Sequence, residues 1–240
     1  MNAPLNKKST VDQIKERFDQ DVERFSNLET AQEAVVDAPI MLELISDLAV
    51  SVKPDAENML DIGSGAGNNT ISILRQKPGI NCDLVDISLP MLEKAKERIS
   101  LEQAGDVRIF HGDFRDLTLP HSHYHLIVAA SVLHHLRDDA DWENCFGKIY
   151  DLLKPKGALF VSDMVHHQHS AIHEAMWNRY GEHLKSIGGP AYRDKVHEYI
   201  EIEDSPRSLS YQMELMKKVG FGTVDVLHKN SCFAAFVGIK

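Results

Sequence analysis

The sequence predicts an α/β fold with a mostly parallel central sheet, and three observations predict it. Short apolar runs alternate with amphipathic helical stretches between residues 59 and 162, the pattern of strands joined by crossover helices. One run, Leu126-Ile127-Val128-Ala129-Ala130, is apolar at every position, as in a strand covered on both faces. A glycine-rich turn, Gly63-Ser64-Gly65-Ala66-Gly67, stands where the first run gives way to a helical pattern.

The elements follow in order. Residues 10–27 predict one amphipathic helix, with Val11, Ile14, Phe18, Val22 and Phe25 spaced three or four apart. A second helix is expected over 34–52, ending before Pro54. Strands are expected at 59–62, 82–86, 107–110, 124–130 and 158–162. The helices between them are placed at 69–76, 90–100 and 141–153, with Pro90 suited to a first turn and Pro155-Lys156-Gly157 as a stop. Residues 166–210 break the rhythm: they hold histidines, Trp177, Tyr180 and Gly188-Gly189-Pro190, and no strand pattern, so they read as a lid. A helix over 209–219 and strands near 224–228 and 233–239 then close the chain, the strands as an antiparallel hairpin. The whole reads as a single domain, 1–240, made of an N-terminal helical cap (1–53), a core (54–165), a lid (166–210) and a closing helix and hairpin (211–240).

Composition bounds the function. A chain of 240 residues buries one sizeable core plus a modest appendage. No apolar stretch suits a signal peptide or a membrane span, and Cys82, Cys145 and Cys232 are too scattered for a disulfide framework or a zinc knuckle. A reducing, cytoplasmic setting and no membrane partner are therefore expected. The net charge of −10 disfavours nucleic acid, because affinity for phosphates needs a basic face.

Glycines in the 63–67 turn permit positive φ and let a ligand lie on the backbone, and the helix behind them offers free N–H groups. The spacing is G-x-G-x-G, not the dinucleotide G-x-G-x-x-G, and Asn68-Asn69-Thr70 stands where a phosphate loop would have Lys-Ser/Thr. Asp86 ends the second strand roughly twenty residues beyond the glycines, where a carboxylate can accept from both ribose hydroxyls of a nucleoside.

With LDIGSGAG, VDIS, HGDFRDL, LIVAASVLHHL and LLKPKGALFVSD in place, the stretch from Leu60 to Met164 resembles the class I S-adenosylmethionine-dependent methyltransferases. The closing Val219-Gly220-Phe221 turn extends the likeness. The resemblance implies a Rossmann-like methyltransferase fold: a seven-stranded, mostly parallel sheet with an antiparallel last strand and the lid inserted after strand five. It implies S-adenosylmethionine as cofactor. Gly63, Ser64, Gly65 and Gly67 would lie against the methionine portion, with Asp61 orienting the glycine loop. Asp86 would hold the ribose and Ile87 would flank the adenine. Asp113 would accept from the adenine amino group, the Phe114 N–H would meet a ring nitrogen, and Ala130 would face the methyl end.

The plan is also similar to the carboxy-S-adenosylmethionine synthase branch, including the Asn230–Phe236 strand, but Glu214 stands where that branch has an arginine for the extra carboxylate. Ordinary S-adenosylmethionine is thus expected, with a small-molecule acceptor. A tRNA acceptor, a non-catalytic cofactor-binding protein and a nicotinamide oxidoreductase are the competing readings. His134 and His135 are candidate bases, but no catalytic residue is assigned. His169 and His173 share a helical spacing, yet without a Glu partner no metal site is expected. Trp177 and Tyr180 suit a flat acceptor, the sulfonium or lid anchoring; Phe18 and Phe25 resemble residues that close over the cofactor in relatives and equally suit helix packing, and Arg24 could meet the methionine carboxylate. Oligomeric state stays open, with a homodimer one option.

Overall fold

The computed structural model describes residues 4, 7–27, 30 and 33–240. One sheet is formed by β1 (Asn58–Ile62), β2 (Asn81–Asp86), β3 (Val107–His111), β4 (Tyr124–Ala130), β5 (Leu153–Met164), β6 (Thr223–Asn230) and β7 (Phe233–Ile239). Its order is β3-β2-β1-β4-β5-β7-β6. Strands β1 to β5 pair in parallel, and β7 runs antiparallel to both neighbours. The chain order reverses direction across the sheet at β1 and β4, which leaves a crevice beyond their carboxyl ends.

Strand β1 shows why the sheet is covered on both sides. Met59 and Leu60 are wholly buried on opposite faces. On one face Leu60, Ile62, Ile127, Leu159 and Phe236 pack against Trp142 and Phe146 of α6 (Asp139–Leu152) and Met216 of α8 (Leu209–Val219). On the other, Met59, Leu84, Leu126, Val128 and Phe160 meet α3 (Ala38–Val52), α4 (Asn68–Gln76) and α5 (Leu89–Ile99).

Three expected boundaries move, the first being the helix expected over 34–52, which starts at Ala38. The helix predicted over 10–27 is two, α1 (Val11–Gln20) and α2 (Val22–Ser26), interrupted at Asp21, where no Gly or Pro marks the break. A Thr10–Gln13 capping box starts α1. The strand expected at 158–162 begins at Leu153, because Leu153 already pairs with Tyr124 before the register shifts. Residues around Pro155 thus belong to the start of β5, not to a helix end.

The segment expected as a lid is helical: α7 (Ser170–Glu203) is broken at Gly189, whose φ of +77° and ψ of −176° only glycine adopts readily. The chain folds back there, and Trp177 stacks on His197 at 4.2 Å. Tyr180, Leu184, Val196 and Ile200 pack on Met164, Phe233 and Ala235, so α7 is seated on the β5–β7 end of the sheet. Among the described residues, no helix is long and apolar enough to cross a membrane.

Candidate functional site

The glycine turn is shaped by the strand before it and the helix after it. Gly63, Gly65 and Gly67 have φ of +66°, +49° and +83°. The Gly63 and Ser64 N–H groups donate to the Val85 carbonyl at 2.8 and 3.0 Å, which ties the turn to β2. A Cβ at Gly63 would lie 2.5 Å from Val132, so the backbone there admits no side chain. At Gly65 a Cβ would meet nothing within 4 Å, because that face opens on a cavity.

Asp86, at the end of β2, closes the turn. Its carboxylate accepts from the Gly65 N–H at 2.8 Å and from the Ser88 N–H at 2.9 Å, one on each oxygen. Burial pushes its pKa up, and those backbone N–H bonds work in the opposite direction. Each oxygen keeps a lone pair, and Asp86 lines the cavity.

That cavity has a volume of about 240 Å³. It sits over the carboxyl ends of β1, β2 and β4. Gly63, Ser64, Gly65, Asp86, Ile87, Asp113, Phe114 and Ala130 all line it, so the fold brings together residues spread over nearly seventy positions. Asp61 and Gly67 do not line it. Asp61 lies behind the turn, 1% exposed, and accepts from the Thr70 hydroxyl at 2.7 Å, so it fixes α4 against β1. Burial is the main reason its pKa rises to about 7, Asp86 adds to the rise and Thr70 opposes it. Gly67 precedes α4, and its α-carbon face rests on Ala95 and Ile99 of α5. Its role is helix packing, not lining.

Asp113 is engaged by its neighbour Arg115, whose guanidinium donates to Oδ1 at 3.0 Å, to Oδ2 at 2.6 Å and, at 2.8 Å, to Asp141. Burial alone would raise the Asp113 pKa, but Arg115 brings it below the ordinary carboxylate value. The Ser64 hydroxyl is buried with no partner among the described residues.

The far wall is apolar. Val11, Ile14 and Phe18 of α1, Phe25 of α2, and Val35, Ala38 and Leu42 at the start of α3 close over it. Helix α1 is pinned there: the Ser88 hydroxyl donates to Asp19 at 2.6 Å, the Arg17 Nε donates to Glu203 at 2.9 Å, and the Ser9 N–H donates to the Ile202 carbonyl at 2.8 Å. Phe18 and Phe25, predicted to close over a cofactor, are on this wall. Arg24 is not; it pairs with Asp21 at 3.0 Å and lies over Phe25.

Several other candidates stand elsewhere. No residue of 166–210, the segment expected as a lid, lines the cavity; Tyr180 is 2% exposed against Phe233, and it and Trp177 pack this segment onto the sheet. His169 precedes α7, while His173 stacks on His166 at 4.0 Å, so the expected His169–His173 face is not a pair of converging ligands. His135 lines the cavity; His134 and His166 do not. Glu214 is exposed on α8 and outside the cavity, so its charge does not bear on which cofactor binds. Sequence reasoning missed Ser162, Arg115 and Arg137 on the walls, and Asp204, which reaches the His134–His135 turn from the end of α7. The apolar spacing of α1 carried a signal for Val11 and Ile14; Asp204 carried none, being some seventy residues from its neighbours in space.

Residues 59–157 match the family model described as a methyltransferase domain. The carboxy-S-adenosyl-L-methionine synthase of Nautilia profundicola is 24% identical over 200 residues, covering 83% of this chain and 84% of the relative. That of Shewanella halifaxensis is 26% identical over 205 residues, covering 83% of each. Among solved structures, human N-acetylserotonin methyltransferase in complex with SAM superposes with a TM-score of 0.61 at 19% identity. It is matched over 94% of this chain, which spans only 56% of its length. PigF with SAH gives a TM-score of 0.65 at 19% identity, over 97% of this chain and 63% of that one.

Proposed function

Because this chain is a class I S-adenosylmethionine-dependent methyltransferase, with S-adenosylmethionine as its cofactor, we propose that the cavity is its active site and that its methyl acceptor is a small molecule. The carrying observation is that one cavity joins a hydrogen-bonding end, Gly63–Gly65 and Asp86, to an apolar end closed by α1, α2 and α3.

The residues present fit the cofactor. The face of Gly65 has room for a ligand against the backbone, and the buried Ser64 hydroxyl lacks a partner that a bound polar group would provide. The Asp86 lone pairs suit a pair of hydroxyls, and Asp113, held ionised beside Arg115, suits an amino donor. Bound there, the cofactor supplies an electrophilic methyl group on a sulfonium sulfur.

In this reading Gly63, Ser64 and Gly65 orient the methionine portion, Asp86 the ribose, and Ile87, Asp113 and Phe114 the adenine. Ala130 and Ser162, at the ends of β4 and β5, border the space left for the acceptor. Phe18 and Phe25 exclude water from that space, and alignment of the acceptor contributes several kcal/mol to the rate. The acceptor side of the cavity is walled by α1, α2 and the start of α3. A cavity lined mostly by apolar side chains, in a chain of net charge −10, is poorly matched to a nucleic acid.

Isotopic methyl transfer from S-adenosylmethionine to a size-fractionated cell extract tests the reading. Label is expected in the low-mass fraction, and label confined to RNA or protein overturns it. A second reading has one observation in its favour, the similarity at 24–26% identity to carboxy-S-adenosyl-L-methionine synthases, and would make the chain such a synthase. Mass spectrometry of the nucleoside that co-purifies with the protein separates the two, because the carboxylated cofactor is heavier.

A further inference from the structure

At the cavity wall, two half-buried histidines and a buried aspartate converge from two distant parts of the chain. His134 and His135 form the short 3-10 turn Leu133–His135 after β4, and Asp204 caps the end of α7. The Ser205 N–H donates to the His134 carbonyl at 2.7 Å, so the two segments are joined beside the cluster. The Asp163 carboxylate on β5 accepts from the Leu133 N–H at 2.7 Å and from His134 Nδ1, which directs the other nitrogen of that ring, Nε2, toward Asp204.

The spacings within the cluster are informative. His134 Nε2 lies 3.7 Å and His135 Nδ1 3.3 Å from the same oxygen, Asp204 Oδ1. Both exceed the ordinary N–H···O span of about 2.7–3.2 Å. They are close to the separation of two ligands on one tetrahedral ion, about 3.4 Å for metal–ligand bonds of about 2.1 Å. All three ligand atoms lie within 4.8 Å of one another. Asp204 Oδ1 and both His135 ring nitrogens are buried without a hydrogen-bond partner among the described residues. The Asp204 side chain is only 4% exposed.

The nearby cations are committed elsewhere. Arg17 pairs with Glu203, Arg137 donates to the carbonyls of Glu203 and Ser9, and Lys8 donates to the carbonyls of Glu201 and Asp204. Among the described residues, only the two imidazoles come within ion-pair range of the Asp204 carboxylate. A carboxylate so deeply buried calls for a compensating charge.

We propose that His134 Nε2, His135 Nδ1 and Asp204 Oδ1 bind one divalent cation of the zinc class. Asp163 is the positioning residue: by accepting from His134 Nδ1 it fixes the tautomer that leaves Nε2 free for the metal, the carboxylate–histidine–metal arrangement. Three protein ligands leave a fourth position for water or an acceptor heteroatom, the pattern of catalytic and not of structural zinc. Because His135 lines the cavity, the site borders the space assigned above to the acceptor. The metal site itself does not depend on the methyl-transfer reading; only its link to the acceptor does.

The test is a Zn²⁺ titration of untagged, chelator-stripped protein against a chromophoric competitor, with Co²⁺ absorption as a second probe of geometry. The wild type is expected to take up about one equivalent, with a tetrahedral Co²⁺ spectrum. Asp204→Asn and His135→Gln are each expected to weaken binding at least about ten-fold, and Asp163→Asn by about ten-fold, with circular dichroism showing the fold retained. A His166→Gln/His173→Gln double variant is expected to bind like the wild type. Failure of the wild type to bind, or loss of the equivalent in the His166/His173 variant instead, overturns the proposal. So does an affinity unchanged in both Asp204→Asn and His135→Gln. None of these outcomes depends on whether methyl transfer is observed.

Discussion

Replacing Asp61 by Asn removes a charge that the sheet has no means of solvating. Asp61 lies at 1% exposure under the glycine turn, where one oxygen accepts from Thr70 and the other has no partner among the described residues. Burial raises its pKa from 3.8 to about 7. The unfolded chain therefore loses this proton at lower pH than the folded chain does. The stability contributed by the protonated acid is fully present below pH 3.8 and is lost as pH rises through about 7, after which it is flat. A shift of some three units at about 1.4 kcal/mol each sets a ceiling of about 4 kcal/mol. Asparagine offers the same acceptor to Thr70 and cannot ionise. Urea unfolding of both proteins at pH 4.5, 6 and 8 isolates the effect, because the difference between them cancels the other titrating groups. The Asp61→Asn variant should gain on the wild type by roughly 2–4 kcal/mol between the lowest and highest pH. A difference that stays flat within about 0.5 kcal/mol, or one that grows the other way, refutes the reasoning.

Other outcomes follow from the same geometry. Asp86→Ala should weaken S-adenosylhomocysteine binding about a hundred-fold by calorimetry and also destabilise the fold by roughly 2–5 kcal/mol, since the Gly65 and Ser88 N–H groups lose a charged acceptor; retained affinity would count against the ribose assignment. Phe18→Ala opens the cap beside His135, whose ring centre is 6.0 Å away, and should weaken the same ligand roughly ten-fold with little change in Tm. A large Tm loss with unchanged affinity would make Phe18 a packing residue only. Tyr180→Ala should cost about 3–5 kcal/mol in urea unfolding yet alter ligand affinity less than about three-fold, because Tyr180 is buried in the lid and away from the cavity. An affinity loss larger than the stability loss would place the lid in the binding site.

The strands were legible because parallel strands buried on both faces leave unbroken apolar runs, and 126–130 is the clearest of them. The glycine turn and Asp86 were legible because positive φ and a strand-end carboxylate restrict which residues fit. What sequence hides is the meeting of distant segments. Asp204 lies beside His134 and His135 only because the β5–α7 excursion returns to the turn after β4. The break between α1 and α2 at Asp21 uses no Gly or Pro, so helical periodicity runs through it. Glu214 shows the opposite error: a charge argument from position alone fails when the side chain faces solvent.

The central claim is that Gly63–Gly65 and Asp86 build the cofactor site beneath the α1–α2 cap. A crystal structure of the protein with S-adenosylhomocysteine tests it most directly. The ribose hydroxyls are expected on the Asp86 carboxylate, the amino-acid portion along Gly63–Gly65 and the sulfur directed toward Ala130 and Ser162. Nucleoside density anywhere else, or a ribose that leaves Asp86 bonded only to Gly65 and Ser88, would contradict it.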